Sequence, residues 1–144
     1  MAEIDSAVRR ATRADLDAVL RIDHLAPIGH ERAPLLTLCV KSGECFIYED
    51  RGHVSGYIVV RPRSFFERDF IEFLAVEPGV RRTGVASALL RSAVNRSATP
   101  DIFISTNRSN LPMRTLLTKE GWQFSGELEG IDEGDPELVF YRPS

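Results

Sequence analysis

Apolar positions change their period along this chain, and each change marks an element. Residues 7–10 alternate and read as a short opening strand. Thr12 stands as a helix N-cap before Leu16, Val19 and Leu20, which recur at helical spacing to about Leu25. Pro27 and Gly29 break that helix. A second helix holds Pro34 in its first turn, is expected to bury Leu35, Leu38 and Cys39, and stops at Gly43. Residues 45–49 and 54–60 form two arms of a hairpin around Asp50-Arg51-Gly52, and Pro62 is expected to end the return arm. Residues 70–76 are apolar almost throughout, with Glu72 as the exception, which is the pattern of a strand buried on both faces.

After Pro78-Gly79 the period returns to that of a helix. Over residues 84–96, Val85, Ala86, Leu89, Leu90, Ala93 and Val94 form one stripe, while Ser87, Arg91, Ser92 and Asn95 face away. Residues 102–105 predict a strand. Residues 110–120 predict a helix with Pro112 in its first turn and Gly121 past its end. Residues 122–128 and 137–141 predict two closing strands, with the acidic residues between them as a loop. Strands, helices and strands in this order predict a mixed α/β fold around one central sheet, in a single domain covering residues 1–144.

Composition narrows the function. At 43% hydrophobic and 27% charged the chain is an ordinary globular one. Its net charge of −3 argues against a broad phosphate-neutralising surface for nucleic acid. No apolar run reaches bilayer length. The opening Met1-Ala2-Glu3-Ile4-Asp5 lacks the plan of a signal peptide. The expectation is a cytoplasmic protein without nucleic-acid or membrane partners. Cys39 and Cys45 read as free thiols, and His24, His30 and His53 lack metal-ligand spacing, so no metal is expected.

Candidate chemistry concentrates in Leu74-Ala75-Val76-Glu77-Pro78-Gly79-Val80-Arg81-Arg82-Thr83-Gly84-Val85-Ala86-Ser87. A buried strand runs through a tight turn directly into an amphipathic helix. The first amides of that helix have no intrahelical acceptor and carry the positive end of its dipole. Small Gly84 and Ala86 permit close approach of an anion, and Arg81 and Arg82 add charge, so the segment suits a phosphate or pyrophosphate. A plain strand-to-helix turn with solvent-facing arginines fits the same residues. There is no P-loop and no Gly-x-Gly-x-x-Gly after a strand.

Arg81-x-x-Gly84-x-Ala86, after its hydrophobic strand and Val-x-Pro, resembles the Gln/Arg-x-x-Gly-x-Gly/Ala signature of the GNAT acetyltransferases. Asn110-x-x-Met113-x-x-Leu116-Leu117-x-Lys119-x-Gly121-Trp122 resembles a second segment of that family. The resemblance implies the GNAT fold: a mostly antiparallel twisted sheet of six to seven strands flanked by about four helices. It implies acetyl-CoA as cosubstrate and transfer of the acetyl group by direct attack of a primary amine, on a small molecule or a peptide. Leu74, Ala75 and Val76 would pair with the pantetheine arm. Arg81 would add charge, and the amides of Arg82, Thr83, Gly84, Val85, Ala86 and Ser87 would hold the pyrophosphate. Asn110 would contact the arm, and Trp122 would pack in the core.

Leu117 stands where the family often has a Tyr that protonates the leaving thiolate, and Ser105 where some relatives carry a basic Glu. Tyr57, Tyr141 or water are the substitutes for that Tyr. Glu72 is the candidate general base on the expectation that burial raises its pKa, with an arginine-paired or solvent-facing carboxylate as the alternative. Glu67 and Asp69 are weaker candidates. A backbone N–H near Val76 would meet the oxyanion. The acidic residues Glu127, Glu129, Asp132, Glu133, Asp135 and Glu137 read as a solvated loop or as a lure for a cationic amine. A non-catalytic acyl-CoA-binding module and a nucleotide-binding regulatory domain are the alternative functions. The oligomeric state is open between a monomer and a homodimer.

Overall fold

The computed structural model describes residues 7–25, 32–80 and 83–144. Pro27, Gly29, Arg81 and Arg82, and the expectations attached to them, lie outside the described residues. The elements run β1 (Val8–Arg10), a 3-10 turn (Arg13–Asp15), α1 (Leu16–Leu25), α2 (Ala33–Lys41), β2 (Cys45–Asp50), β3 (His53–Phe65), β4 (Arg68–Val76), a 3-10 turn (Pro78–Val80), α3 (Val85–Arg96), β5 (Asp101–Asn107), α4 (Leu111–Lys119), β6 (Gln123–Leu128) and β7 (Glu137–Pro143). Among the described residues, seven strands lie in the order β1-β2-β3-β4-β5-β7-β6. β4 and β5 pair parallel, whereas β1–β2, β2–β3, β5–β7 and β6–β7 are antiparallel. Among the described residues no helix is long and apolar enough to cross a membrane.

The chain divides into two compact units. One comprises the described residues within Met1–Val60 and Phe73–Ala93; the other comprises Arg61–Glu72 and Val94–Ser144. In the first unit, alternation along β3 sends Tyr57 and Val59 to one face, where they join Val19 and Ile22 of α1, Leu36, Cys39 and Val40 of α2, and Ala75 of β4. Gly56 belongs to the opposite face. A Cβ built there would lie 2.9 Å from Val85 Cγ1, 3.1 Å from Leu89 Cδ1 and 3.3 Å from the Ala75 carbonyl oxygen. The missing side chain is what lets α3 sit on the strands. Gly56→Ala is expected to cost ~2 kcal/mol by overpacking, read as a lower urea midpoint with an unchanged slope. An unshifted midpoint would show that α3 can move away freely.

Three residue-level expectations change here. Leu38 is 62% exposed, because the buried stripe of α2 runs through Leu36, Cys39 and Val40. Pro62 does not end β3, which continues to Phe65. The ladder to β2 ends at Cys45 opposite Val59, so beyond it a proline has no bond to that neighbour to lose. In α3, Ser92 is buried and not solvent-facing.

At the start of the first unit a charged cluster fixes the chain's entry into α1. Asp15 takes Arg9 on both oxygens, at 2.8 and 3.0 Å, and the Thr12 N–H at 2.7 Å. Thr12 thus occupies the N-cap position that its sequence predicts. The Arg9 guanidinium first, and then the Thr12 N–H and hydroxyl, hold the Asp15 carboxyl down at about 2, against 3.8 for a free one. A depressed carboxyl stabilises the fold above its unfolded pKa, and the contribution disappears as pH falls through the folded value. Asp15→Asn is therefore expected to cost about 2 kcal/mol at neutral pH. The wild-type advantage should shrink below pH 3.8 and vanish near 2. Denaturation curves of both proteins across pH test this; a pH-independent difference would assign the effect to packing.

In the second unit, Asp69 is buried and receives the Arg63 N–H at 3.0 Å, the Ser97 hydroxyl at 2.9 Å and the Ala98 N–H at 3.2 Å. It ties the β3–β4 hairpin to the α3–β5 connection. Phe65, Phe70, Phe103 and Tyr141 form a row across β3, β4, β5 and β7, with ring centroids 5.0 to 5.7 Å apart.

Candidate acetyl-CoA site

The ladder between β4 and β5 covers only Asp69, Phe70 and Ile71. Residues 74–76 end β4, and the chain then turns through Pro78–Val80. The turn is closed by Val80 N–H to the Glu77 carbonyl at 3.2 Å and Thr83 N–H to the Val80 carbonyl at 3.3 Å. Gly84 follows with φ +92°, and α3 begins at Val85. Ala88 N–H bonds the Gly84 carbonyl at 3.0 Å. The amides of Gly84, Val85, Ala86 and Ser87 precede this first turn of bonding and point out of the helix start.

Gly84 is the permissive point. Its positive φ is one that L-residues with a side chain rarely adopt, and a Cβ built there meets nothing within 4 Å. The space beside the helix start is open, and the absence of a side chain keeps it so. That geometry fits a phosphate group. The nearby carboxylate of Glu77 is neutralised: it pairs with Arg21, and with His53 Nε2 at 2.8 Å. Arg21 first, then His53, pull its carboxyl below the usual range. Arg21 also bonds the Val54 carbonyl at 3.0 Å, and the Glu77 N–H bonds the Ser55 carbonyl at 2.9 Å, so α1, β3 and the end of β4 are joined at the turn.

The other expected residues are placed as follows. Asn110 belongs to the second unit, where its side-chain oxygen caps α4 by accepting the Met113 N–H at 3.2 Å. Trp122 is buried, and Leu117 is fully buried. Tyr57 is enclosed and donates to Asp23 Oδ1 at 2.6 Å, while Tyr141 donates to Gln123 at 2.8 Å. Ser105 donates to Glu137 at 2.8 Å.

The burial expected for Glu72 is absent. Its side chain is 37% exposed and lies 3.8 Å from Arg61 Nη1. Isoleucine at 71 takes the inward position, and alternation turns residue 72 outward. Glu67 is exposed in the hairpin turn at φ 63°. Within the acidic loop, Asp132 accepts the Asn107 amide at 2.9 Å and Asp135 accepts the Ser109 N–H at 3.0 Å, so part of its charge holds the loop in place.

Sequence reasoning missed one buried group in the first unit. Arg32, at the start of α2, pairs with Asp23 of α1, and its guanidinium lies 4.1 Å from the Phe73 ring centroid. Tyr57 donates to the same carboxylate. A signal was present: Asp23 falls four residues after Val19, on the buried stripe of α1.

Comparisons with known proteins give the family and the fold. Residues 13–122 match the model of the acetyltransferase (GNAT) family, and the chain belongs to that family. A GNAT-family acetyltransferase from Bacillus cereus ATCC 10987 is 36% identical, with a TM-score of 0.89 over 95% of this chain and 96% of that one. Two more distant structures share the fold. NAA60 of Arabidopsis thaliana, in complex with a bisubstrate analogue, is 18% identical with a TM-score of 0.78 over 94% and 96% of the two chains. The ribosomal-protein-S18-alanine N-acetyltransferase of Escherichia coli is 17% identical with a TM-score of 0.76 over 94% and 92%. Among curated proteins none matches the chain. The seven strands and four α-helices among the described residues are the GNAT arrangement expected from the sequence.

Proposed function

We propose that this chain is a single acetyltransferase domain that moves the acetyl group of acetyl-CoA onto a primary amine of a small molecule or a peptide. The observation that carries the reading is Gly84, at φ +92° beside open space and directly ahead of the first amides of α3, which have no acceptor within their helix. The amides of residues 82–87 would hold the pyrophosphate, with Arg81 adding charge. The backbone of Leu74, Ala75 and Val76 would take the pantetheine arm as an added strand. The resemblance adds a contact from Asn110, whose side-chain oxygen is already committed to the helix cap. Two buried thiols outside any disulfide, with Cys45 pushed up to about 12 by burial, suit the reducing cytoplasm expected from the sequence.

In this reading the neutral amine attacks the thioester carbonyl, a C–N bond forms, and the C–S bond breaks. The coenzyme leaves as thiolate and takes up the proton that the new amide nitrogen loses. A backbone N–H near Val76 would stabilise the oxyanion. Glu72 is not carried forward as the base. Its side chain is exposed, and its ion-pair neighbour is Arg61. Glu72→Gln is accordingly expected to stay within ~10-fold of wild-type turnover, below the ~10²–10⁴ of a general base. Turnover should rise with pH along the acceptor amine's own titration. A loss of ~10²-fold or more that shrinks at high pH would restore Glu72 as the base.

The direct test is free-thiol release from acetyl-CoA with a panel of amines and peptides. One observation favours a second reading, a non-catalytic acyl-CoA-binding module. Leu117 replaces the usual proton donor, and Tyr57 is buried against Asp23. Coenzyme A binding without thiol release across the panel would select that reading. Binding of ATP or NAD in place of coenzyme A would select a nucleotide-binding domain.

A further inference from the structure

Glu77 is a carboxylate beside the turn to which the acetyl-CoA reading assigns a pyrophosphate. A bare negative charge there would oppose the ligand. The residue stands between the end of β4 and the Pro78–Val80 turn, and all four of its hydrogen-bonding groups are engaged. Its N–H donates to the Ser55 carbonyl of β3, and its carbonyl accepts the Val80 N–H. One carboxylate oxygen meets His53 Nε2 at the start of β3, and the other takes the Arg21 guanidinium of α1. Arg21 also donates to the Val54 carbonyl. Every one of these residues belongs to the first unit, as does the start of α3.

An isolated surface ion pair contributes little. This carboxylate differs: its side chain is 14% exposed, and partners from two elements hold it. From Glu77 the tie continues through the backbone. Val80 N–H bonds back to Glu77, Thr83 N–H bonds back to Val80, and Gly84 follows at φ +92°. Each link spans three residues, so the place of Glu77 sets the next link, and the last link sets where the first amides of α3 point. A binding site of aligned donors needs its geometry held to within about 0.5 Å.

We propose that Glu77, gripped by Arg21 and His53, is a positioning residue for the coenzyme: it fixes the turn that aims the first amides of α3 at the phosphates. This rests on the acetyl-CoA reading. The carboxylate acts through the turn, and Arg21 both holds it and offsets its charge. Positioning and charge alone predict opposite signs for one variant. Glu77→Ala removes a negative charge near the phosphates, so a pure charge effect tightens binding; loss of the tie weakens it.

Calorimetry with coenzyme A on the full chain, with folding checked by circular dichroism, tests this. Glu77→Ala and Arg21→Ala should each weaken binding by ~10-fold, and the double variant should be little worse than either, because both break one tie. Glu77→Gln, which keeps the reach without the charge, and Arg21→Lys, which keeps the charge, should each recover part of the loss. In turnover, the KM for acetyl-CoA should rise by more than kcat falls, a split that a general loss of stability does not produce. A wild type that binds no coenzyme A sinks the acetyl-CoA reading and this inference with it. A wild type that binds, beside a folded Glu77→Ala that binds as tightly or more tightly, overturns this inference alone. Fully additive losses in the double variant also overturn it.

Discussion

Asp23→Ala should cost ~3–5 kcal/mol of stability, the range found when one partner of a buried ion pair is removed. The side chains of Arg32 and Asp23 are only 14% and 12% exposed, and Tyr57 is fully buried. Asp23 accepts from both, while the guanidinium lies over Phe73. Burial first, and then the bond to Asp23, drive the Tyr57 phenol well above its usual range, so it stays a donor. Among the described residues, Arg32 Nε is already buried without a partner. Removing the carboxylate would strand the rest of a guanidinium and a phenol in an apolar setting.

Two companion variants separate causes. Tyr57→Phe removes a donor but leaves the ion pair, and should cost ~1 kcal/mol. Asp23→Leu combined with Arg32→Met removes both charges and should recover most of the loss. Urea denaturation gives all three values; a loss below ~1 kcal/mol for Asp23→Ala would mean that water reaches the group. Phe73 immediately precedes residues 74–76, so the same variant should also loosen coenzyme A binding.

Gly84→Val carries the second large effect, on ligand affinity. Valine is forced to φ +92°, a conformation that costs it ~1–3 kcal/mol. Its side chain also occupies the open space that the phosphate reading requires. Affinity for coenzyme A should fall at least ~10-fold, equal to about 1.4 kcal/mol. The stability cost and the affinity loss are read separately, by denaturation and by calorimetry on the folded protein. Ala86→Glu, which puts a carboxylate beside the same amides, should weaken binding by ~10-fold or more without the backbone strain. Unchanged affinity in folded Gly84→Val would remove the phosphate site from this helix.

What the sequence determined by itself was whatever neighbouring residues decide together. Thr12 ahead of α1, Asn110 and Pro112 at the start of α4 and the strand–turn–helix around Gly84 are local events, set by hydrogen bonds and backbone preferences within a few positions. The family signature was legible for the same reason, because its residues are close neighbours in the chain at the turn that opens α3. Tertiary structure decided the rest. Whether Pro62 stops a strand depends on where β2 ends. Whether Leu38 is buried depends on which side of α2 meets β2 and β3. Glu72 lies outward because Ile71 points inward, and no local feature chose between them. Asp23, Arg32, Tyr57 and Phe73 are spread over fifty positions yet share one buried cluster. Burial and charge pairing are properties of what packs against a residue, and that partner comes from elsewhere in the chain.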